Sequence, residues 1–425
     1  MAKENVNLMI RNASELITLR GTSREPVRKE IVRNLGLIEN GALAVHEGRV
    51  VAADKTSRIE QSFKAEEVID ASSKVVMPSF VDSHTHIVFS GAREEEFELR
   101  LQGASYLEVL EKGGGILQTV SATRKASEEQ LVETAKRTLD IMLRHGTTTV
   151  EAKSGYGLTT RDETKCLEVA KELDKEHVID VVPTFLGAHT VPPEYRGRTE
   201  EYVRLVTEEM IPEVADRRLA GFCDVFCEEG VFNVEQARRI LQAGTKYGLK
   251  PKVHADELTS IGGAELAAEV KAISAEHLLF ASERGLKAMA EVGVIAVLLP
   301  TASFSLMTGK YAEARKMAQL NVPVALGTDF NPSCWTENMQ MAIAFACREL
   351  RLTPAEAIAA ATINAAHAIH RADEVGSLEE GKKADIIVLN IPNHKFLGYR
   401  FGVNLVEKVV KEGEIVVDNG ENGNA

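Results

Sequence analysis

Two histidines separated by one residue follow a short apolar segment, in the order Asp82-Ser83-His84-Thr85-His86. On an extended backbone alternate side chains point to the same side, so His84 and His86 would present two imidazoles together. Two imidazoles in this arrangement can chelate one metal ion. Taken alone, such a pair is also typical of ordinary polar residues at a strand end. The pair predicts a metal site only if other ligand residues accompany it.

Three later apolar segments also end in residues of metal-binding types, namely His254, His277 and Asp329. Nitrogen and oxygen ligands of this kind suit Zn²⁺ or Fe, and too few carboxylates accompany them for a magnesium or calcium site. The joint pattern therefore predicts one metal ion per chain. It leaves the choice between zinc and iron open.

The elements that must position these residues alternate between two kinds. From about residue 76 to 385, apolar β-branched runs are followed by amphipathic helical stretches, which is typical of parallel strands with crossover helices. Eight such strands close a (β/α)8 TIM-type barrel, whose active sites lie at the carboxyl ends of the strands. The predicted strands are Val75–Asp82, Thr147–Ala152, Val178–Leu186, Gly221–Phe226, Lys250–His254, Ala272–His277, Val292–Leu299 and Val322–Asp329.

Both chain ends have a different sequence pattern, with short apolar runs or runs that alternate apolar and polar residues, such as Val6–Ile10, Ala42–His46 and Val406–Val417. These runs indicate short strands of a small β domain. We expect one β-sandwich built from residues 1–75 and 386–425, around a barrel of residues 76–385. Residues 419–425 read as a polar tail.

Three helices of the barrel carry start signals. Ser127 with Gln130, Thr160 with Glu163, and Thr353 with Glu356 have the spacing of capping boxes. These pairs predict that helices begin just after Ser127, Thr160 and Thr353.

The composition excludes some classes of function. The formal net charge is −13, from 50 Lys and Arg against 63 Asp and Glu, and no basic run with interleaved aromatic residues occurs. We therefore expect no nucleic-acid partner. No apolar run has the length of a membrane span, which needs about 18 residues, so we expect no membrane partner and a cytoplasmic location. The five scattered cysteines are expected to be reduced thiols.

The metal-site residues and their surroundings resemble the amidohydrolase superfamily. The resemblance rests on Pro78-Ser79-Phe80-Val81-Asp82 before the histidine pair, and on the ligand residue types that end strands five, six and eight. It implies that four residues bind the metal: His84, His86, His254 and Asp329. Superfamily members with two ions usually bridge them through a modified lysine at the end of strand four. Here that strand ends Val225-Phe226-Cys227-Glu228, which favours a single ion.

Longer stretches resemble one branch of the superfamily, which opens a five-membered cyclic amide with a carboxylate tail in histidine degradation. The implied reaction is hydrolysis of 4-imidazolone-5-propanoate to N-formimidoyl-L-glutamate, and the implied assembly is a homodimer. In chain order the stretches are Arg93 with Glu96-Phe97, Leu101–Tyr106, Gly113–Ile116, Lys153–Leu158, Phe185–His189, His254–Leu258 and Asp329–Pro332.

The same resemblance implies which residues contact the substrate. They are Arg93, Tyr156, His189, Glu257 and Asn331, with Ser333 and Cys334 in the following loop. Many relatives have a glycine and then a small hydroxyl residue after the Asn-Pro pair, so the loop at Ser333 and Cys334 departs from the family pattern.

Three residues are candidates for the chemistry. A metal ion lowers the pKa of a water molecule and polarises a carbonyl, and Asp329 beside that water would accept its proton and pass it to the leaving ring nitrogen. His277 would donate a hydrogen bond to the carbonyl oxygen as charge develops there. Glu257 would contact ring N–H groups or relay protons. Its alternative role is that of an acidic residue at a helix start.

An anionic substrate needs a cation on this acidic protein, and Arg93 offers a planar fork that matches a carboxylate. A surface ion-pair run with Glu94, Glu95 and Glu96 is the alternative interpretation of this arginine. Two other functions remain open at this point. One is an aminohydrolase of the same superfamily acting on another heterocycle, and the other is a scaffold that has lost catalysis.

Overall fold

The computed structural model describes residues 3–28, 35–103 and 114–420, so residues 104–106 and 113 of the stretches quoted above and the end of the polar tail lie outside the described part. The strands are β1 (Glu4–Ile17), β2 (Leu37–His46), β3 (Arg49–Lys55), β4 (Phe63–Asp70), β5 (Val75–Pro78), β6 (Phe80–Asp82), β7 (Thr147–Lys153), β8 (Asp180–Ala188), β9 (Phe222–Cys227), β10 (Lys250–Ala255), β11 (Ser274–His277), β12 (Ile295–Leu298), β13 (Val324–Leu326), β14 (Ile386–Leu389), β15 (Val406–Lys411) and β16 (Glu414–Asp418).

Amphipathic stretches form the helices, most of which follow a barrel strand. The α-helices are α1 (Thr56–Ser62), α2 (Glu94–Leu101), α3 (Ile116–Lys125), α4 (Glu128–Arg144), α5 (Thr160–Glu176), α6 (Thr199–Leu205), α7 (Ile211–Asp216), α8 (Val234–Lys246), α9 (Gly263–Glu269), α10 (Glu283–Val292), α11 (Pro300–Ser305), α12 (Ala314–Gln319), α13 (Met339–Arg348), α14 (Pro354–Ala360) and α15 (Ile363–Ala368). A π-helical turn, Val206–Met210, joins α6 to α7. Among the described helices none is long and apolar enough to cross a bilayer.

Strands β6 to β13 lie side by side in chain order and pair in parallel. Backbone hydrogen bonds just beyond the first and last of them close the ring. His86 N–H donates to the Phe330 carbonyl at 2.8 Å, and Asp329 N–H donates to the His84 carbonyl at 3.0 Å. The predicted (β/α)8 barrel is confirmed.

The first predicted strand, Val75–Asp82, is two strands in two different sheets. β5 pairs with β1 and β14 in the chain-end sheet, whereas β6 pairs with β7 in the barrel. Pro78 ends β5 and has no amide hydrogen with which to continue a ladder. The Ser79 amide then donates to the Asp385 carbonyl at 3.1 Å as the chain passes into the barrel.

The strands of both chain ends join in one mixed sheet, in the order β16-β15-β14-β5-β1-β2-β3, with β4 beside β1. The long strand β1 is irregular between Ile10 and Ala13, where its partner changes from β4 to β5. Buried residues of the two halves, among them Leu8, Leu43, Val76 and Val388, form a single apolar cluster. The two ends therefore form one β unit outside the barrel, as the sequence predicts, and its strands belong to a single mixed sheet.

Two of the three predicted helix starts are confirmed. Ser127 with Gln130 and Thr353 with Glu356 both form reciprocal capping boxes. The third prediction is wrong by one residue, because Thr159 rather than Thr160 caps α5 by accepting from the Asp162 amide at 3.0 Å. The carboxylate of Glu163, which a capping box would need, turns instead towards the loop before the helix.

Candidate active site

The carboxyl ends of the barrel strands bring five of the predicted site residues together. His84 and His86 follow β6, His254 lies in β10, His277 ends β11, and Asp329 follows β13. All five side chains are buried. The ring centre of His84 lies 5.3 Å from that of His86, 4.7 Å from that of His254 and 5.6 Å from that of His277.

The imidazoles of the histidine pair face the Asp329 carboxylate. Nε2 of His84 lies 3.4 Å from Asp329 Oδ1, and Nε2 of His86 lies 3.6 Å from the same oxygen. Ligand atoms of His84, His86 and Asp329 lie within 4.8 Å of one another, and so do those of His84, His254 and His277. By distance alone, His277 is therefore a further candidate ligand.

Buried histidine nitrogens in this cluster lack hydrogen-bond partners among the described residues. In the described part of the chain, Nε2 of His84 and Nε2 of His254 are buried atoms that no hydrogen bond satisfies. Leaving a buried polar atom unpaired costs about 1–3 kcal/mol. A bound cation would take up both lone pairs, so the residues present fit a metal ion.

The backbone at two of these residues adopts a rarely populated conformation. The φ angles of His277 and Asp329 are 68° and 52°, in the left-handed region that disfavours side chains with a Cβ. Asn331 supports the turn, since its Nδ2 donates to the Asp329 carbonyl oxygen at 2.8 Å and to Oδ1 at 3.0 Å. Asp329 lies three residues beyond the end of β13, so its place depends on this turn and not on the strand.

His277 and Glu257 form a second pair at the rim, with Nε2 of His277 3.6 Å from Oε2 of Glu257. Burial lowers the pKa of His277 to about 3, so its imidazole is neutral near pH 7. Burial, and after it the charges of Asp329 and Glu228, raise the pKa of Glu257 to about 8. A neutral imidazole and a protonated carboxyl are both hydrogen-bond donors, which is the chemistry expected beside a carbonyl oxygen.

Tyr156 and His189 cover one side of the histidine cluster. The ring of His189 stacks on that of His86, with centres 5.0 Å apart and planes inclined by 12°. Nδ1 of His189 lies 3.1 Å from the Gly155 carbonyl oxygen, which can only accept, so Nδ1 carries the proton. Tyr156 is buried 5.7 Å from His86, and its burial raises the pKa of its hydroxyl. Tyr156 thus offers a protonated hydroxyl to this cluster.

Arg93 lies directly before α2, where its Nε donates to Thr119 Oγ1 at 3.1 Å. One of its terminal nitrogens donates to the hydroxyl of Ser333 and lies 3.9 Å from Oε2 of Glu96. The Glu96 carboxylate is engaged elsewhere, by Arg100 and by the Gly115 amide. Of the three glutamates in the suggested ion-pair run, only the buried Glu96 approaches Arg93 within the described salt bridges.

The loop after Asp329 links the histidine cluster to Arg93. Oδ1 of Asn331 accepts from the amides of Ser333 at 2.7 Å and Cys334 at 3.2 Å. Ser333 meets Arg93, whereas the buried Cys334 thiol lies 3.5 Å from the carbonyl oxygen of Thr328 and 3.5 Å from the Ser305 hydroxyl. The side chain of Cys334 therefore supports the loop from beneath.

An open cavity of about 740 Å³ lies beside Arg93 and Ser333. Its wall is mainly apolar, and it includes Phe97, Phe304 and Trp335. The guanidinium groups of Arg93 and Arg100 also line this cavity, beside the carboxylates of Glu94 and Glu96, so they are the cationic partners that it offers an anion.

Sequence reasoning missed a set of charged residues inside the barrel, beneath the histidines. They are Glu151, Lys153, Asp224, Lys252 and Glu276, and all five side chains are fully buried. A signal existed in the sequence, since Glu151 and Lys153 end a run of β-branched residues with the two-residue spacing that places side chains on one face.

Glu163 determines the shape of the loop that carries Tyr156. Its buried carboxylate accepts from the amides of Gly155 at 3.0 Å, Gly157 at 2.7 Å and Leu158 at 2.7 Å. Gly157 cannot carry a side chain, because a Cβ there would lie 2.4 Å from the backbone of Asp162.

We expect Glu163→Gln to destabilise the protein by about 1–3 kcal/mol, because a glutamine has one acceptor oxygen in place of two and leaves a buried amide unpaired. Urea unfolding measures this change. Glu168→Gln, at a partly exposed position of the same helix, should change the free energy of unfolding by no more than about 0.5 kcal/mol. Equal losses in the two variants would contradict the role given to Glu163.

Comparison with known proteins identifies the protein family of this chain. The family model described as "Amidohydrolase family" matches residues 75–416, which covers the whole barrel and the end strands that follow it. The chain therefore belongs to the amidohydrolase family. An adenosine deaminase structure from Xanthomonas campestris with bound zinc superposes with a TM-score of 0.72 over 98% of this chain and 94% of that one, at 19% identity. A likeness at this low identity concerns the fold alone.

Relatives of higher sequence identity indicate to which group of the amidohydrolase family the chain is similar. The imidazolonepropionase of Geobacillus kaustophilus (strain HTA426) is 54% identical over 97% of this chain and 99% of its own length. The imidazolonepropionase of Alkaliphilus metalliredigens (strain QYMF) is 50% identical over 98% of this chain and 99% of its own length. Within the amidohydrolases, the chain groups with the imidazolonepropionases.

Proposed function

We propose that this protein hydrolyses the ring amide of 4-imidazolone-5-propanoate to N-formimidoyl-L-glutamate, a step of histidine degradation. The observation that carries the proposal is the cluster of His84, His86, His254 and Asp329 at the rim of the barrel, with Arg93 at the adjoining cavity. The shared name of relatives at 50–54% identity over nearly the full chain supports the same reaction.

The proposed cofactor is one zinc or iron ion, held by His84, His86, His254 and Asp329. An ion in this position supplies a water molecule of lowered pKa and polarises the carbonyl of the substrate. The lone pairs of His84 Nε2 and His254 Nε2, which have no hydrogen-bond partner among the described residues, support this ligand set.

Asp329 is proposed to move the proton. Burial alone would raise the pKa of Asp329, but the neighbouring histidines and the hydrogen bond from Asn331 outweigh burial and lower it. The carboxylate is thus ionised at neutral pH and can accept a proton from water. It can then deliver that proton to the ring nitrogen as the C–N bond breaks.

His277 and Glu257 are proposed to stabilise the reacting amide. The neutral His277 imidazole can donate to the carbonyl oxygen as negative charge develops there. Glu257, 3.6 Å from His277, is proposed to contact the ring N–H groups and to exchange protons with them.

Tyr156, His189, Asn331 and Ser333 complete the proposed substrate site. Tyr156, whose ring centre lies 5.3 Å from that of His189, is proposed to pack against the substrate ring and to offer it a hydroxyl. His189 is proposed to present Nε2 to the substrate, because its Nδ1 is engaged by the Gly155 carbonyl oxygen. Asn331 orients the Asp329 carboxylate, and Ser333 holds the guanidinium group of Arg93.

A turnover assay tests the proposed function. Freshly prepared imidazolonepropanoate is compared with hydantoins, dihydropyrimidines and guanine, with metal-loaded protein throughout. We expect efficient hydrolysis of imidazolonepropanoate alone. Preferred turnover of another heterocycle would assign the chain to a different activity of its family, and absence of turnover on the whole set would favour a non-catalytic scaffold.

Arg93 is proposed to bind the propanoate tail, so we expect Arg93→Lys to lower kcat/KM for imidazolonepropanoate by about ten-fold or more. Lysine keeps the charge but loses the planar fork, and Arg93→Met should cost more. Steady-state kinetics measure both changes.

The control uses an imidazolone that lacks the carboxylate. The parent protein should process this analogue poorly, and Arg93→Met should scarcely change its rate. If the substitution impairs the truncated analogue as severely as the full substrate, Arg93 shapes the loop or the metal site, and the tail-binding role is wrong.

A further inference from the structure

Three carboxylates and two ammonium groups fill the interior of the barrel below the histidine cluster. Lys252 pairs chiefly with Glu151, since its Nζ lies 2.6 Å from Oε1 of Glu151 and 3.4 Å from Oε1 of Glu276. Isolated charges would be very costly at these fully buried positions, so the groups must neutralise one another.

Lys153 has a different set of partners. Its Nζ lies 2.7 Å from Oδ2 of Asp224, 3.1 Å from Oε2 of Glu276 and 3.1 Å from Oε2 of Glu151. Lys153 is thus the lysine that joins Asp224 to Glu276 in the described part of the barrel.

The two carboxylate oxygens that Lys153 holds also face histidines. Oε2 of Glu276 is hydrogen-bonded to Nδ1 of His84. Oδ2 of Asp224 lies 3.0 Å from Nδ1 of His254, a polar contact that lacks the geometry of a hydrogen bond. A carboxylate at Nδ1 favours the tautomer in which Nδ1 carries the proton and the Nε2 lone pair is free.

We propose that Lys153 is a positioning residue of the metal site. By fixing the Glu276 and Asp224 carboxylates together, it sets the tautomer and the orientation of His84 and His254, so that both Nε2 lone pairs point to one centre. The inference rests on the proposed metal site but not on the identity of the substrate.

The arrangement also accounts for the charge of the site. With three carboxylates against two ammonium groups, the interior cluster has one negative charge in excess. That charge lies directly behind the imidazoles, where it favours a cation. Lys153 occupies the space between Glu276 and Asp224, where these carboxylates and His254 would otherwise form a competing cation site.

The test compares two lysine variants of the full-length protein. Lys153→Met and Lys252→Met each remove one buried ammonium group from the same cluster, so they should lower stability by similar amounts. After both are shown to be folded by circular dichroism, Zn²⁺ affinity is measured by competition with a chromophoric chelator. We expect Lys153→Met to bind Zn²⁺ about 10- to 100-fold more weakly than the parent, and Lys252→Met to lose clearly less.

A spectroscopic measurement separates positioning from general destabilisation. With Co²⁺ in place of Zn²⁺, the visible absorption bands report ligand geometry, and we expect them to change in Lys153→Met but not in Lys252→Met. Equal Zn²⁺ affinities and identical Co²⁺ spectra in the two variants would overturn the proposal.

A second pair of variants serves if Lys153→Met does not fold. Glu276→Gln and Glu151→Gln preserve side-chain size, and both remove a charge that faces Lys153, but of the two only Glu276 is hydrogen-bonded to a histidine in the described part of the chain. Weaker Zn²⁺ binding in Glu276→Gln alone supports the proposal, and equal binding in the two contradicts it.

Failure of the proposed function is distinguishable from failure of this inference. A parent protein that binds one Zn²⁺ tightly but does not hydrolyse imidazolonepropanoate refutes the substrate assignment, and the comparison of lysine variants still applies. A parent protein with the expected activity, and with Lys153→Met binding Zn²⁺ as tightly as Lys252→Met, refutes the positioning role alone.

Discussion

Asp329→Asn is expected to lower kcat by roughly 10²- to 10⁴-fold in protein that still contains its metal ion, because an amide does not accept a proton near neutral pH. The substitution preserves size and an oxygen that can accept from Asn331 Nδ2, so the turn after β13 should keep its shape. Single-turnover kinetics on protein of measured metal content provide the test.

Asn331→Ala separates the position of the carboxylate from its role as a proton acceptor. It removes the hydrogen bonds that support the turn at Asp329 but keeps the carboxylate, so we expect kcat to fall less than in Asp329→Asn. If metal-loaded Asp329→Asn retains near-full activity, the proton acceptor lies elsewhere. Glu257 and His277 are then the candidates, since both lie at the same rim.

The sequence was sufficient to predict the barrel and the rim because both depend on local patterns. Apolar β-branched runs must be buried as parallel strands, and residues at their carboxyl ends must then meet at one edge. His84, His254 and His277 follow from this rule alone. Asp329 lies three residues past its strand, so the rule gives its neighbourhood, whereas its position comes from the turn that Asn331 supports.

Other features depend on contacts between residues far apart in the chain, which local patterns do not contain. Val75–Asp82 reads as one strand, but its two halves pair in different sheets on either side of Ser79. Thr160 has the spacing of a helix cap, yet Glu163 is drawn away by the amides of the Tyr156 loop.

The buried charges are a third example. A charged residue such as Lys153 in a strand is normally predicted to face solvent. It is buried here because its partners Asp224 and Glu276 come from two other strands, separated from it by 71 and 123 residues in the chain. The sequence therefore predicts the histidines and Asp329 at the rim, and not the buried charged residues beneath them.

Replacing His84 and His254 together with alanine is expected to abolish metal binding and, with it, all measurable turnover. The double change removes the two Nε2 atoms for which the described part of the chain offers no hydrogen-bond partner, together with the imidazoles that connect the site to Glu276 and Asp224. Elemental analysis of purified protein should give one ion per chain for the parent and none for the variant.

Thermal unfolding gives an independent measurement, because an ion that binds only the folded state stabilises it. Chelation of the metal should lower the Tm of the parent protein and leave that of the double variant unchanged. His145→Ala, at a partly exposed position before the amino end of β7, should retain both the metal and its effect on Tm. Two ions per chain in the parent, or unchanged metal content in the double variant, would contradict the assignment of one ion to these ligands.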